Sequence, residues 1–140
     1  FCLSRGLGDV YKRQAVMEGV AYSLRDCFEI CREMGISIKD MMACGGGGTS
    51  PLWRQMLADL YQCPVKTSAS KEGPALGAAI LAAVGSGLYS TVPEACKVII
   101  KTDKTQQPIQ KNIPVYDKYY RLYTEIYPAI KEKFKTLSAL

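Results

Sequence analysis

The 140-residue chain contains no histidine. That excludes every His-dependent nucleophilic triad and every His-containing zinc site built from this chain alone. No apolar run approaches the ~20 residues needed to span a bilayer, and the N-terminus lacks a signal-peptide pattern. No membrane contact is expected. Two phosphate-binding motifs are also missing. No G-x-x-x-x-G-K-[ST] occurs, which excludes a P-loop. Ser50 and Pro51 stand where G-x-G-x-x-G needs its later glycines, and no acidic residue ends a following strand, so a dinucleotide-binding unit is the poorer alternative. The net charge is +5, but Lys97, Lys101, Lys104, Lys131, Lys133 and Lys135 are spread out and accompany no nucleic-acid motif. They are expected to solvate a surface, and no nucleic-acid partner is expected.

Six cysteines are present without the spacing of a disulfide scaffold, which suits a reducing cytoplasm. Cys27 and Cys31 lie one helical turn apart on the stripe Val16, Val20, Leu24, Cys27, Phe28, Cys31, so both are expected as buried small apolar residues rather than metal ligands. Cys2, Cys44, Cys63 and Cys96 show no ligand spacing. Hydrophobic residues make up 48% of the chain, enough for the core of one domain or part of one.

What is there begins at Met41-Met42-Ala43-Cys44. This short apolar run stops at four consecutive glycines, and a helix start follows at once. Ser50 can cap that helix with its hydroxyl, and Pro51 suits the first helical position. The order strand, glycine turn, helix places bare backbone N–H groups and the positive end of a helix dipole at one spot, which attracts phosphate. A glycine hinge that binds nothing remains the alternative. Leu52, Met56, Leu57 and Leu60 then recur at helical spacing, with Arg54, Gln55, Asp59 and Gln62 elsewhere on the wheel.

The periodicity predicts helices over 15–34, 51–62 and 74–84, with strands near 41–44 and 64–67. Thr91 and Glu94 fit a capping box that opens a short helix. Val98-Ile99-Ile100 is expected to be extended and 102–112 a polar surface loop. A last helix is expected over 116–137, interrupted or restarted at Pro128. Helix, strand, helix, strand, helix implies an α/β layer with a parallel strand pair.

Gly45-Gly46-Gly47 through Ser50, followed by Trp53-Arg54-Gln55-Met56-Leu57-Ala58-Asp59, resembles the adenosine-phosphate segment of the FGGY carbohydrate kinases, within the actin, hexokinase and sugar-kinase superfamily. Glu72-Gly73-Pro74-Ala75-Leu76-Gly77-Ala78-Ala79 is similar to a second family segment, Ala15-Val16-Met17-Glu18-Gly19-Val20-Ala21-Tyr22-Ser23-Leu24-Arg25-Asp26 to a third, and Tyr123-Thr124-Glu125-Ile126-Tyr127-Pro128-Ala129-Ile130-Lys131-Glu132 to a fourth. The order and spacing resemble the xylulokinase branch. The resemblance covers residues 15 to about 135.

The resemblance implies an α/β fold belonging to an actin-like (ribonuclease H-like) ATPase domain, truncated here to the latter part of the kinase's second, nucleotide-binding domain (15–140). It implies phosphoryl transfer from ATP, with Mg²⁺, to the hydroxyl of a small sugar, D-xylulose first. Gluconate, ribulose or glycerol kinases are the neighbouring alternatives. A non-catalytic nucleotide-binding module and a structural α/β domain with an empty turn are the readings from other classes. Gly45, Gly46 and Gly47 would lie along the nucleotide, and Ser50 would contact its adenosine side or cap the helix. Gly48 and Thr49 depart from the commoner alanine and lysine. Trp53 is expected to anchor a core rather than to carry adenine. Gln55 and Asp59 are read as structural, and Glu72 and Gly73 either line the base or cap a helix. The catalytic base and the sugar site would lie outside this chain. Asp26, Asp40 and Asp59 match no catalytic position, no catalytic or metal residue is assigned, and the chain alone is expected to be inactive. The parent is expected to be cytoplasmic and homodimeric. Residues 1–14 do not resemble the family and are expected to be a non-native leader.

Overall fold

The computed structural model describes residues 7–70 and 73–139. They fall into two compact units: one comprises the described residues of 38–58 and 63–107, the other those of 7–37, 59–62 and 108–139.

The first unit holds the sheet. Strand β1 (Met41–Ala43) leads through a single helical turn, α2 (Gly45–Gly48), into helix α3 (Pro51–Tyr61), and β2 (Val65–Ser68) follows. Helices α4 (Gly73–Gly85) and α5 (Val92–Ile99) precede β3 (Thr102–Gln106). The strand order is β1-β2-β3. β1 runs parallel to β2, with Met41 opposite Val65 and Ala43 opposite Thr67, as the strand–helix–strand order requires. β3 is antiparallel to β2, pairing Gln106 with Val65 and Thr102 with Ser68 across a register shift. Met56, Leu57, Cys63, Val65, Ile80 and Ala95 form the core of this unit.

Several local expectations hold for physical reasons visible here. Ser50 Oγ accepts the Trp53 amide at 3.3 Å, so the cap is made by the hydroxyl and Pro51 adds no unsatisfied donor. Thr91 caps α5 through the Glu94 amide at 3.3 Å, and the Glu94 carboxylate reaches back to the Ser90 amide at 3.0 Å. That well-made start carries α5 through Val98 and Ile99, which are helical and not extended; only Ile100 leaves the helix.

The expected loop over 102–112 is instead a strand for its first half. Thr102, Asp103, Lys104, Thr105 and Gln106 show no apolar alternation, and the first four are exposed. Tertiary pairing makes this strand: the ladder to β2, and the Lys104 amide donating to Thr67 Oγ1 at 3.2 Å. β1 is only half-buried, because it is an edge of the described sheet.

The second unit is built on two long helices, α1 (Leu7–Glu33) and α6 (Ile113–Ser138), with the last turn of α3. α1 begins earlier than the predicted residue 15, and Gly35, at φ +80°, follows its C-terminus. α6 runs unbroken through Pro128; one lost backbone bond is tolerated within so long a helix. Phe28 stacks on Tyr61 with ring centroids 4.9 Å apart, and Tyr22 lies against Tyr120 and Tyr123.

The face of α1 that packs is Ala21, Tyr22, Arg25 and Phe28. Of the stripe expected to be buried, Phe28 packs and Cys31 is half-buried, but Val16 is 68% exposed and Val20, Leu24 and Cys27 are exposed. The aromatic contacts of Tyr22 and Phe28 and the ion pairs of Arg25 decide the face, and a count of apolar residues does not register either. Asp59, 1% exposed, accepts the Ile109 amide at 2.6 Å and Asn112 Nδ2 at 2.7 Å. It organises the loop before α6, which bears out its structural reading.

Candidate functional site

A cleft of about 870 Å³ opens within the sheet unit. One wall is the turn after β1: Cys44, Gly45, Gly46, Gly48 and Thr49. The end of β2 contributes Thr67 and Ser68, and the segment after it Ser70. Gly73, Leu76, Gly77 and Ile80 of α4 face it, together with Val92 and Cys96 of α5 and Asp103 and Lys104 of β3.

The glycine turn is shaped by two positions. Gly45 has φ +75°, a left-handed conformation that L side chains rarely adopt. A Cβ on Gly48 would lie 2.8 Å from the Ala43 carbonyl oxygen, so the turn sits directly on β1. The chain spends the turn's carbonyls internally. Gly46 O accepts the Thr49 amide at 3.2 Å and Thr49 Oγ1 at 2.6 Å, and Gly47 O accepts the Ser50 amide at 3.1 Å. Arg54 Nη1 donates to Gly48 O at 2.6 Å. The first amides of a helical turn have no acceptor one turn back. A Cβ added at Gly45 or Gly46 would meet nothing within 4 Å, so backbone at this point is open to an approaching group.

The residues singled out in the sequence separate here. Gly45 and Gly46 line the cleft. Gly47 does not; the Trp53 ring lies over it, 3.3 Å from where its Cβ would be. Ser50 is turned into its helix as a cap. Gly73 lines the far wall, close to Cys44. Glu72, like residues 1–6 of the expected leader, lies outside the described residues. Gln55 is engaged with Gln106 and with the Gln107 carbonyl, which bears out its structural reading. The aspartates are occupied too: Asp40 pairs with Lys66 at 2.7 Å and Asp26 accepts from the Tyr120 hydroxyl at 2.7 Å.

Sequence reasoning missed Arg54 and the α5–β3 wall. Arg54 gave one signal, its place one turn after the glycines on a helix with buried neighbours at 56–58. The polar run 102–106 gave none.

The three-stranded mixed α/β architecture is that of part of an actin-like ATPase domain of the sugar-kinase type. A xylulose kinase from Rhodospirillum rubrum superposes with a TM-score of 0.79 at 27% identity, over 96% of this chain and 28% of that one. The sequence profile for the C-terminal domain of the FGGY family of carbohydrate kinases matches residues 5–86. The chain belongs to that family. Xylulose kinase from Staphylococcus epidermidis is 38% identical over 119 residues, 85% of this chain and 24% of that protein. Ribulokinase from Bacillus licheniformis is 35% identical over 125 residues, 85% of this chain and 22% of that protein. The chain therefore spans about a quarter of the length of the curated relatives it matches.

Proposed function

We propose that this chain is the nucleotide-side part of an ATP-dependent sugar kinase, with D-xylulose as the acceptor sugar. The observation that carries the reading is the glycine turn set into the wall of a largely apolar cleft, in a chain of the FGGY family. Mg²⁺-bound ATP would supply the transferred phosphoryl group. Gly45 and Gly46 would hold it by backbone contact, since neither position has a side chain in the way. Leu76, Ile80 and Val92 offer an apolar surface for a heterocycle. Gly47 and Ser50 would act indirectly, one as the seat of Trp53 and the other as the cap that starts α3.

Among the described residues none is proposed to take the sugar's proton. Asp26, Asp40 and Asp59 are each committed to a structural partner. The base and the sugar pocket are assigned to a part of the protein outside this chain, so the chain alone has no kinase activity. A cytoplasmic homodimer is the proposed state of the whole protein. Among the described residues no helix is long and apolar enough to cross a membrane.

The 35% identity to a ribulokinase supports a second reading, in which D-ribulose is the acceptor; the gluconate and glycerol types are further alternatives. The complete reading frame that contains this chain, assayed with ATP and each of D-xylulose, D-ribulose, gluconate and glycerol, decides. Highest kcat/KM on D-xylulose is expected. Preference for another sugar reassigns the substrate, and no turnover on any of them returns the chain to a binding module.

Residues 1–14 remain proposed as a non-native leader. The family match from residue 5 and the continuity of α1 through 7–14 weigh against this. Deleting 1–14 is expected to leave cooperative unfolding intact; its loss would make the segment native structure.

A further inference from the structure

We infer that Arg54 is the positioning residue of the glycine turn. The guanidinium holds the Gly48 carbonyl, and so fixes the end of the turn whose Gly45 and Gly46 line the cleft. Arg54 lines the cleft yet is only 4% exposed. Its Nη1 donates to Gly48 O at 2.6 Å, its backbone amide donates to Ser50 O at 3.1 Å, and among the described residues its Nε has no hydrogen-bond partner. Among the described residues no carboxylate pairs with it; the ion pairs there belong to other cations.

A buried cation with a carbonyl and, among the described residues, no acid is costly to keep unless the bond it makes is needed. What it does here is specific. Glycines carry no side chain by which packing could hold them. Gly48 is pressed against β1 on one side by its approach to Ala43. From α3, Arg54 grips the same residue's carbonyl through a charge-assisted bond. The turn is pinned at its end from two directions, and the Thr49 and Ser50 amides then close it onto Gly46 and Gly47. Remove the guanidinium, and the Gly48 carbonyl is left buried without a donor. A lysine keeps the charge but lacks the planar fork, so it should restore part of the effect.

The test compares the chain with R54M and R54K. Trp53 is the only tryptophan and its ring lies on Gly47, so its emission reports the turn. Amide hydrogen exchange at Thr49 and Ser50 reports turn closure, and binding of Mg·ATP by titration calorimetry reports consequence. R54M is expected to shift the Trp53 emission, to speed exchange at Thr49 and Ser50 while α6 is unchanged, and to weaken Mg·ATP binding about tenfold. R54K should recover a good part of each. If R54M does not fold, R54K alone decides by the same readings. R54M with wild-type emission, exchange and affinity overturns the assignment, as does R54M that loses stability everywhere with R54K no better. The inference uses the nucleotide reading only for the binding arm. If the wild-type chain itself ignores Mg·ATP, that reading fails, while emission and exchange still decide the role of Arg54.

Discussion

The two units each bury an arginine, and they do so in opposite ways. In the helical unit Arg25 is surrounded by compensation. Asp117 lies 2.7 Å from Nη1, Glu29 lies 3.1 Å from Nε, and the Tyr120 ring sits 4.2 Å below the guanidinium carbon. In the sheet unit Arg54 is as deeply buried, but among the described residues its guanidinium holds only a backbone carbonyl. The same contrast runs through the rest. Asp59, Asp117 and Asp26 are acids tied to donors within the helical unit. The cleft of the sheet unit has a glycine turn at which Gly45 and Gly46 leave open space where a side chain would stand. Paired polar groups hold a fold together; polar groups left over are where a ligand can act.

That contrast is most sharply broken by removing an acid from the helical unit. Asp59→Ala leaves the Ile109 amide and the Asn112 side chain without their acceptor and should cost about 3 kcal/mol, read as a lowered urea midpoint. A loss under about 1 kcal/mol would mean that solvent replaces both bonds.

Next comes Gly48→Ala in the sheet unit. Its Cβ would meet the Ala43 carbonyl, so the turn must shift, at about 1–3 kcal/mol. Trp53 emission should move with it. An unchanged emission spectrum would show that the turn is not held against β1.

Thr91→Ala should cost about 1 kcal/mol by uncapping α5, with no effect on tyrosine titration.

The smallest effect is a titration. Burial first, then the neighbouring Glu18 carboxylate, pushes the Tyr22 hydroxyl well above its ordinary pKa of 10. Burial and the hydrogen bond to Asp26 do the same for Tyr120. A tyrosine whose folded pKa is raised contributes stability that is fully present below the unfolded value near 10. That contribution is lost as pH rises through the folded value. Absorbance at alkaline pH should therefore show Tyr22 and Tyr120 un-ionised near pH 11 while the fold persists, with stability falling above pH 10. Ordinary ionisation of every tyrosine in folded protein would contradict this.

Much of the sheet unit was legible because its signals are local. A cap at Ser50, a proline at the first helical position and Thr91 with Glu94 act within a few residues, and each is found doing so. β3 was not legible: Thr102 to Gln106 become a strand only because β2 offers a ladder. The packed face of α1 was legible only at Phe28: counting apolar residues also picks Val16, Val20 and Leu24, which are exposed, whereas the contacts of Tyr22 and Arg25 turn the helix toward the adjoining face. Gly45 and Gly46, singled out in the sequence, line the cleft. Arg54 was not singled out, since its partner is a carbonyl, which no side-chain pattern records.

Titrating the chain with Mg·ATP while following Trp53 emission and heat tests the central claim most directly. A saturable change in both, with a Kd on the order of micromolar to millimolar and its loss in Gly48→Ala, is the predicted result. Flat emission and no heat at several times that range, in protein shown to be folded, would contradict the assignment of the glycine-walled cleft to a nucleotide.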